Sequence, residues 1–479
     1  MDVLLINPPM CVYEPPRFPS FGISYIAQEL RRQRHRVELI DADSYRYSRE
    51  TVLECIGKAT ADVVAIGGLI TVFPYMDWLV PQVRRLQPGK PIILGSGLAS
   101  ALRDKCFMYF DVDFLVIGEG EQTIIDLLSQ IAGARQFDTV KGIAYRSADG
   151  VKITDPRPLM ASLDQVPRID DSFFPMDQLL ENSGGVLQIH AQRGCPFHCT
   201  FCFNCYRVSS RAVRYRPVQN VLDEIEFYKL KYKVRLFAIA GECIMLNRKW
   251  LKEFADEIHR RKLNIAYRVT SRVDTMDAER LGWLRDSGCI VLSIGVESGS
   301  QKILDLMQKK TTVDEARRAI ALAKQYIPSL EVNMMLGYVG ETEQTVRESV
   351  EFFKEIGVQP CIFFAQPFPG TELYKMALER GRIKGEERQY MMGLDRASIL
   401  DMPSFNLTDM DDETASGVLS AAVRDIETYY ARQAFRRMTP AVVARRFRES
   451  VATVGLKCTM AEGWRLLRHA LRHGSDPIR

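Results

Sequence analysis

Residues 195–202 read Cys195-Pro-Phe-His-Cys199-Thr-Phe-Cys202, and the rest of the chain is best read outward from them. Three thiolates spaced four and three residues apart can hold three irons of a 4Fe–4S cluster on one tight loop. A cluster that only relays electrons takes four cysteine ligands, so three leave one iron open to a small molecule. The loop follows an apolar strand-like run, Val186-Leu-Gln-Ile-His190, and carries Arg193-Gly194 just before the first thiolate. Zinc is the competing reading: Cys205 continues the spacing, and His198, Cys199, Cys202 and Cys205 are all zinc-type ligands. Structural zinc sites usually pair one CxxC with a second ligand pair farther along, and none is obvious here. The cluster is the favoured reading, and Cys205 is left without a role.

Cys11, Cys55, Cys106, Cys243, Cys289, Cys361 and Cys458 are scattered, mostly in apolar contexts. They read as small hydrophobes rather than a disulfide framework. Free thiols plus a reducible cluster imply a reducing, anaerobic or oxygen-protected cytoplasm. At 479 residues the chain is too long for one compact core, and two or three domains are expected. With 46% hydrophobic and 26% charged residues, the composition is that of an ordinary soluble protein. No signal-peptide pattern is present, and no apolar run reaches the ~18 residues that a membrane span needs. From Arg424 to Arg479, 12 Lys/Arg face 5 Asp/Glu, a net of +7 against +4 for the whole chain. The tail is therefore a separate object.

Residues 2–130 alternate strand-like runs (Val3–Ile6, Val37–Asp41, Val63–Ile66, Ile92–Leu94, Phe114–Ile117) with helical patterns near Ile23–Arg34, Arg49–Ala59, Met76–Leu86 and Gln122–Ile131. That alternation predicts α/β architecture, a doubly wound parallel sheet of Rossmann-like type. Ligands of such sheets sit beyond the carboxyl ends of the strands. Those ends carry small, permissive residues: Asn7-Pro-Pro9, Gly67-Gly68, Gly95-Ser-Gly97 and Gly118-Glu119-Gly-Glu121. Glycine there lets backbone approach a large ligand closely. A hairpin is expected over Gly142–Thr154, turning at Ala148-Asp-Gly150, followed by a proline-marked linker.

From Val186 to about Gln366 strands alternate with helices six times: Val186–Ala191, Leu236–Ala240, Asn264–Val269, Ile290–Ile294, Glu331–Leu336 and Cys361–Ala365. The pattern predicts a partial (β/α)6 barrel with the cysteine loop after its first strand. Chemistry in such barrels lies at the carboxyl ends of the strands. Candidates there are Gly241-Glu242, Ser271-Arg272-Val-Asp274, Gly295-Val-Glu297, Asn333, Gly337-Tyr-Val-Gly340-Glu341 and Pro367-Phe-Pro-Gly370-Thr371. Capping of the following helices is the plain alternative for Glu341, Thr371 and Asp274.

The cysteine loop, with Phe201 before its last thiolate, resembles that of the radical S-adenosylmethionine (SAM) superfamily. Residues 1–135 resemble the cobalamin-binding domain found ahead of many radical SAM barrels. The resemblance implies a cluster held by Cys195, Cys199 and Cys202, whose open iron binds the amino and carboxylate groups of SAM. It also implies SAM contacts from Glu242 to the amino group, Arg272 to the carboxylate and Glu297 to the ribose hydroxyls, with Gly337 and Gly340 in close backbone approach. Cobalamin would meet Asn7, Gly67, Gly68, Gly95, Gly97, Gly118 and Glu119. The first loop, Asn7-Pro-Pro-Met-Cys11, lacks the cobalt-ligating histidine of mutases; this fits both the radical SAM members of the group and a domain that has lost cobalamin. The domain's only histidine, His35, reads as a solvated surface residue.

Past Asp395 the barrel alternation stops. Thr414–Ala431 reads as a helix, and Val442-Val-Ala-Arg-Arg-Phe-Arg448 and Trp464-Arg-Leu-Leu-Arg-His-Ala-Leu-Arg472 continue in basic, apolar alternation. A helical cap, a peripheral contact with the inner membrane face or an acidic partner all fit; no nucleic acid is expected. The expected organisation is 1–135 cobalamin-binding-like, 136–185 hairpin and linker, 186–395 radical SAM barrel and 396–479 basic helical region. The implied function is a cobalamin-dependent radical SAM methyltransferase acting on an unactivated carbon through a 5′-deoxyadenosyl radical and methylcobalamin. The alternative is a non-methylating radical SAM cyclase, oxidase or dehydratase. Partners would be a small-molecule or lipid-like substrate and a reductant protein such as flavodoxin or ferredoxin.

Overall fold

The computed structural model describes residues 1–10, 14–203, 212–383, 385–394 and 405–437. Cys11, Cys205, Cys458 and the basic segments from 438 onward lie outside the described residues. Two sheets organise the rest. The first has seven strands in the order β2-β1-β3-β4-β5-β6-β7: β1 Asp2–Asn7, β2 Arg36–Asp41, β3 Val63–Gly67, β4 Ile92–Gly95, β5 Phe114–Val116, β6 Ile143–Ser147 and β7 Gly150–Ile153. Strands β1 to β5 are parallel. Val3, Leu4, Leu5 and Ile6 are all essentially buried, as a strand covered by helices on both faces requires. The expected hairpin forms, but not as part of a linker. It pairs antiparallel with β5 and extends the first sheet, which buries Ile143 and Tyr145.

The second sheet begins with β8 Val186–His190 and, after a separate two-stranded ribbon of β9 Gln192–Arg193 with β10 Arg214–Tyr215, continues through β11 Leu236–Ala240, β12 Ala266–Arg272, β13 Cys289–Glu297, β14 Ser329–Leu336 and β15 Pro360–Phe364. Its order is β15-β14-β13-β12-β11-β8, parallel throughout. This is the expected partial barrel. Along β8 and β11 burial alternates residue by residue. Leu187, Ile189, Phe237 and Ile239 turn to the helical layer, while Gln188, His190, Ala238 and Ala240 lie on the opposite, less covered face.

Local signals start the barrel helices where the fold needs them. Thr312 and Glu315 make a reciprocal capping box, and Thr371 caps the helix Glu372–Glu379 by accepting from the Tyr374 amide, so its capping role is the one observed. The helix Asp412–Arg437 lies against Glu343–Glu355: Lys354 pairs with Asp425 at 2.7 Å and Tyr430 donates to the Phe353 carbonyl. This first part of the C-terminal region is a cap on the barrel. No helix among the described residues is long and apolar enough to cross a membrane.

Candidate functional site

The cysteine loop leaves the end of β9 at Gly194, whose φ of +90° and 2.3 Å from its would-be Cβ to the Ala212 carbonyl oxygen admit glycine only. Two main-chain bonds and two side-chain contacts then tie the loop to the barrel. The Thr200 amide donates to the Met307 carbonyl at 3.0 Å, and the Thr200 carbonyl accepts from the Leu373 amide at 2.9 Å. The Thr200 hydroxyl bonds the Tyr338 hydroxyl, and Phe203 packs on Phe368 with ring centroids 4.4 Å apart. Between these anchors the Cys202 amide donates to the Cys199 carbonyl at 3.1 Å, closing a turn. Cys195, Cys199 and Cys202 are half-buried and in no disulfide. Among the described residues no three His, Cys, Asp or Glu side chains converge on a single metal ion. A cluster asks for a different arrangement, because each thiolate takes a separate iron.

Two buried cations flank Cys199. Arg272 at the end of β12 directs Nη1 at the Cys199 sulfur, 3.7 Å away, and its guanidinium carbon lies 3.5 Å from the Phe197 ring centroid. Lys309 donates to Glu297 at 2.8 Å, and the nearby Cys199 charge helps to hold its ammonium protonated despite burial. Positive charge beside a thiolate loop is the electrostatics an anionic iron–sulfur group needs, so the residues present fit a cluster.

The same geometry gives partners within their own chain to two of the residues expected to contact SAM. Arg272 is expected to bind a SAM carboxylate, but its Nε and Nη2 are both spent on Asp274 at 3.0 Å. Glu297 is expected at ribose hydroxyls, but it faces Lys309. A bulge in β13 and a left-handed φ of +77° at Glu297 fold that carboxylate back over Gly295, where a Cβ would lie 2.7 Å from it. Lys309 was missed: nothing local in Met307-Gln-Lys-Lys310 distinguishes a buried lysine from a solvated one. Glu242 stands exposed after β11. Its neighbour Cys243, expected as a small hydrophobe, is buried, with its amide on the Gln192 side chain at 2.9 Å.

At the end of β14, Gly337 and Gly340 have φ of +74° and +87°. They form a turn around a carboxylate of their own chain: Glu341 accepts from the Gly337 amide at 2.7 Å and the Tyr338 amide at 3.2 Å. A Cβ on Gly340 would stand 2.5 Å from Leu306. These glycines shape the loop that follows β14. Burial raises the Glu341 carboxyl to about 8.

At the first sheet's rim the candidates divide. Gly67 and Gly95 pair across β3 and β4, and a Cβ on either would meet nothing closer than 3.8 Å. Gly118, at φ +89°, donates its amide to Ser100, and Gly97 is half-buried in the first turn of the helix Ser96–Leu102. Gly68 instead serves internal packing, since its Cβ would lie 2.5 Å from Val72. Asn7 is buried and donates to Asp41 at 2.7 Å. Glu119 is spent on the barrel: it accepts from Arg193 at 3.3 Å, Arg214 at 3.0 Å and the Met160 amide at 2.8 Å, while Arg193 also pairs with Glu121 at 2.6 Å. Asn7 and Glu119 are thus held by their own chain, and Glu119 joins the first sheet to the strand that launches the cysteine loop. The uncrowded backbone at Gly67 and Gly95 fits a bulky ligand, as the first sheet of a cobalamin-binding fold requires.

Two family patterns match this architecture: the Radical SAM superfamily over residues 189–353 and the B12 binding domain over residues 15–128. The chain carries a radical SAM domain with a B12-binding domain ahead of it. Its cofactors are accordingly a 4Fe–4S cluster, SAM and cobalamin. This radical SAM enzyme is 24% identical to an uncharacterized methyltransferase of Pyrococcus horikoshii, over 75% of the chain and 78% of that protein. It is 25% identical to the cytidylyl-2-hydroxyethylphosphonate methyltransferase of Streptomyces wedmorensis, over 84% and 86%. Against the anaerobic magnesium-protoporphyrin IX monomethyl ester cyclase of Rubrivivax gelatinosus, identity is 26% over 80% and 72%. Its fold matches the methyltransferase TsrM from Kitasatospora setae, solved with cobalamin and a [4Fe-4S] cluster bound, at a TM-score of 0.71 and 17% identity, covering 92% of this chain and 89% of that one. A small-molecule substrate suits such an enzyme.

Proposed function

We propose that this enzyme transfers a methyl group to an unactivated carbon of a small molecule. The observation that carries this reading is the pairing of a three-thiol loop at the barrel mouth with an uncrowded glycine rim on the sheet in front of it. When bound, the cluster with SAM supplies a carbon radical, and cobalamin supplies a methyl carrier. Cys195, Cys199 and Cys202 would hold the cluster, and exposed Glu242 would receive the SAM amino group. Gly67, Gly95, Gly97 and Gly118 would admit cobalamin against the backbone. The less covered barrel face, with Gln188, Ala238 and Asn333, would take the substrate and keep water from the reacting carbon. We further propose that the front unit runs from residue 1 through the hairpin, that the barrel covers 186–395, and that a flavodoxin- or ferredoxin-like protein reduces the cluster in the cytoplasm. The basic, apolar tail would give peripheral contact with an anionic membrane face.

Anaerobic turnover of reconstituted protein with SAM, reductant and cobalamin, read by mass spectrometry, tests the reading. Paired 5′-deoxyadenosine and S-adenosylhomocysteine, the latter dependent on cobalamin, is the expected result. 5′-Deoxyadenosine alone would make the enzyme a non-methylating one, the reading that the cyclase relative favours.

A further inference from the structure

We propose that Arg272 is a fixed hydrogen-bond donor to the cluster ligand Cys199, and that this contact sets how readily the cluster accepts an electron. The inference rests on the cluster reading above and goes beyond it, because it moves Arg272 from SAM to the metal's own ligand.

The argument is one of donor geometry. A guanidinium has five N–H donors in a rigid plane. Here the Nε and Nη2 edge grips both oxygens of Asp274, Nη2 also donates to the Lys309 carbonyl at 2.7 Å, and the plane lies against Phe197. Clamped along one edge and stacked on one face, with its side chain only 6% exposed, the group cannot swing outward to follow a substrate. The remaining Nη1 is the atom that reaches the Cys199 sulfur. Phe197 and Cys199 belong to the same loop, so cluster assembly and arginine position are set by the same main-chain anchors. Asp274 offsets part of the cation's charge, but from the edge opposite the sulfur. Reduction places an added electron on the cluster and its thiolates. A charged N–H held against one of those sulfurs stabilises the reduced form more than the oxidised one and raises the reduction potential. Arg272 is on this account a positioning and tuning residue, with no role in breaking the SAM bond.

The test uses the full-length protein, anaerobically reconstituted and without SAM. Iron and sulfide content and the spectrum of the reduced wild-type cluster establish the cluster itself, so failure there is failure of the underlying reading. An EPR-monitored redox titration should then give R272Q a lower midpoint potential than wild type, with R272K between them, and SAM affinity of the oxidised protein should stay within about twofold, because the contact is to sulfur. Wild-type protein carrying guanidino-15N-arginine provides a reading that needs no variant to assemble: the reduced cluster should show a 15N coupling by pulsed EPR. Absence of that coupling, or an unchanged midpoint in R272Q, would overturn the proposal; an unchanged midpoint with SAM binding lost would return Arg272 to the SAM carboxylate.

Discussion

The barrel mouth and the rim of the first sheet are both built from the carboxyl ends of parallel strands, yet they solve opposite problems. At the barrel mouth nearly every candidate is occupied by its own chain: Arg272 by Asp274, Glu297 by Lys309, Gly337 by Glu341. At the first sheet's rim, Gly67 and Gly95 face no protein atom that a Cβ would crowd. The difference follows from what each must hold. Three thiolates around a small charged group need fixed side chains and balanced charge, since an uncompensated buried charge is costly. A large flat ligand needs exposed backbone and room. One region is made specific by charged side chains, the other by the absence of side chains.

The sharpest break of this comparison is at the thiolates. C199A removes one of three ligands and leaves the two flanking cations without the sulfur they face. Reconstituted C199A should lose the cluster's iron and its brown absorbance, and 5′-deoxyadenosine formation should fall to background. The first sheet lies elsewhere, so cobalamin binding should persist. Retention of a full cluster in C199A would mean that Cys199 is not a cluster ligand or that another residue replaces it.

A smaller effect is expected at the rim, and it separates two adjacent glycines. The double variant G67A/G95A adds two methyl groups that the protein itself accommodates, so its melting temperature should stay close to wild type while cobalamin retained after dialysis falls, by roughly tenfold in affinity for about 1.4 kcal/mol of lost contact. G68A should do the reverse. Its methyl meets Val72 at 2.5 Å, and overpacking of this kind costs about 1–3 kcal/mol of stability. If G67A/G95A binds cobalamin as wild type does, the open rim is not where cobalamin rests.

Much of this was legible in the chain because the signals are local. Apolar runs give strands to within a residue or two; Leu236–Ala240 is expected and observed with the same bounds. Longer strands were underread: β12 is observed to Arg272 and β13 from Cys289 to Glu297, since polar and glycine-containing ends look like loop until a neighbouring strand pairs with them. The three cysteines are readable because their spacing alone encodes the loop. Pairings across the fold are not. Arg272 and Asp274 sit two apart, yet nothing in the chain says that the arginine turns to its own neighbour and to Cys199. Glu119 lies in a glycine loop that suggests a ligand, but Arg193 and Arg214, far along the chain, claim it. The side-chain environment of a strand end is decided by which strands are adjacent, and that is a property of the sheet.

The subtlest test of the barrel side concerns Glu341, where the glycine turn wraps a fully buried carboxyl whose Oε1 has no hydrogen-bond partner. Burial raises its pKa from 4.5 to about 8, so the folded protein keeps a proton there that the unfolded chain releases. The sign follows directly: between those values the native state binds more protons, and this residue's contribution makes stability fall as pH rises. E341Q is neutral at every pH and lacks that dependence, at the cost of a constant offset for its amide. The stability difference between E341Q and wild type should therefore move in favour of E341Q, by about 1.4 kcal/mol per pH unit at the steepest, when urea denaturation is followed from pH 5 to pH 8. Parallel curves would mean that Glu341 is ionised in the folded protein. In that case a cation or ordered water reaches its unpartnered oxygen, and the Gly337 turn is open on the side where it now looks closed.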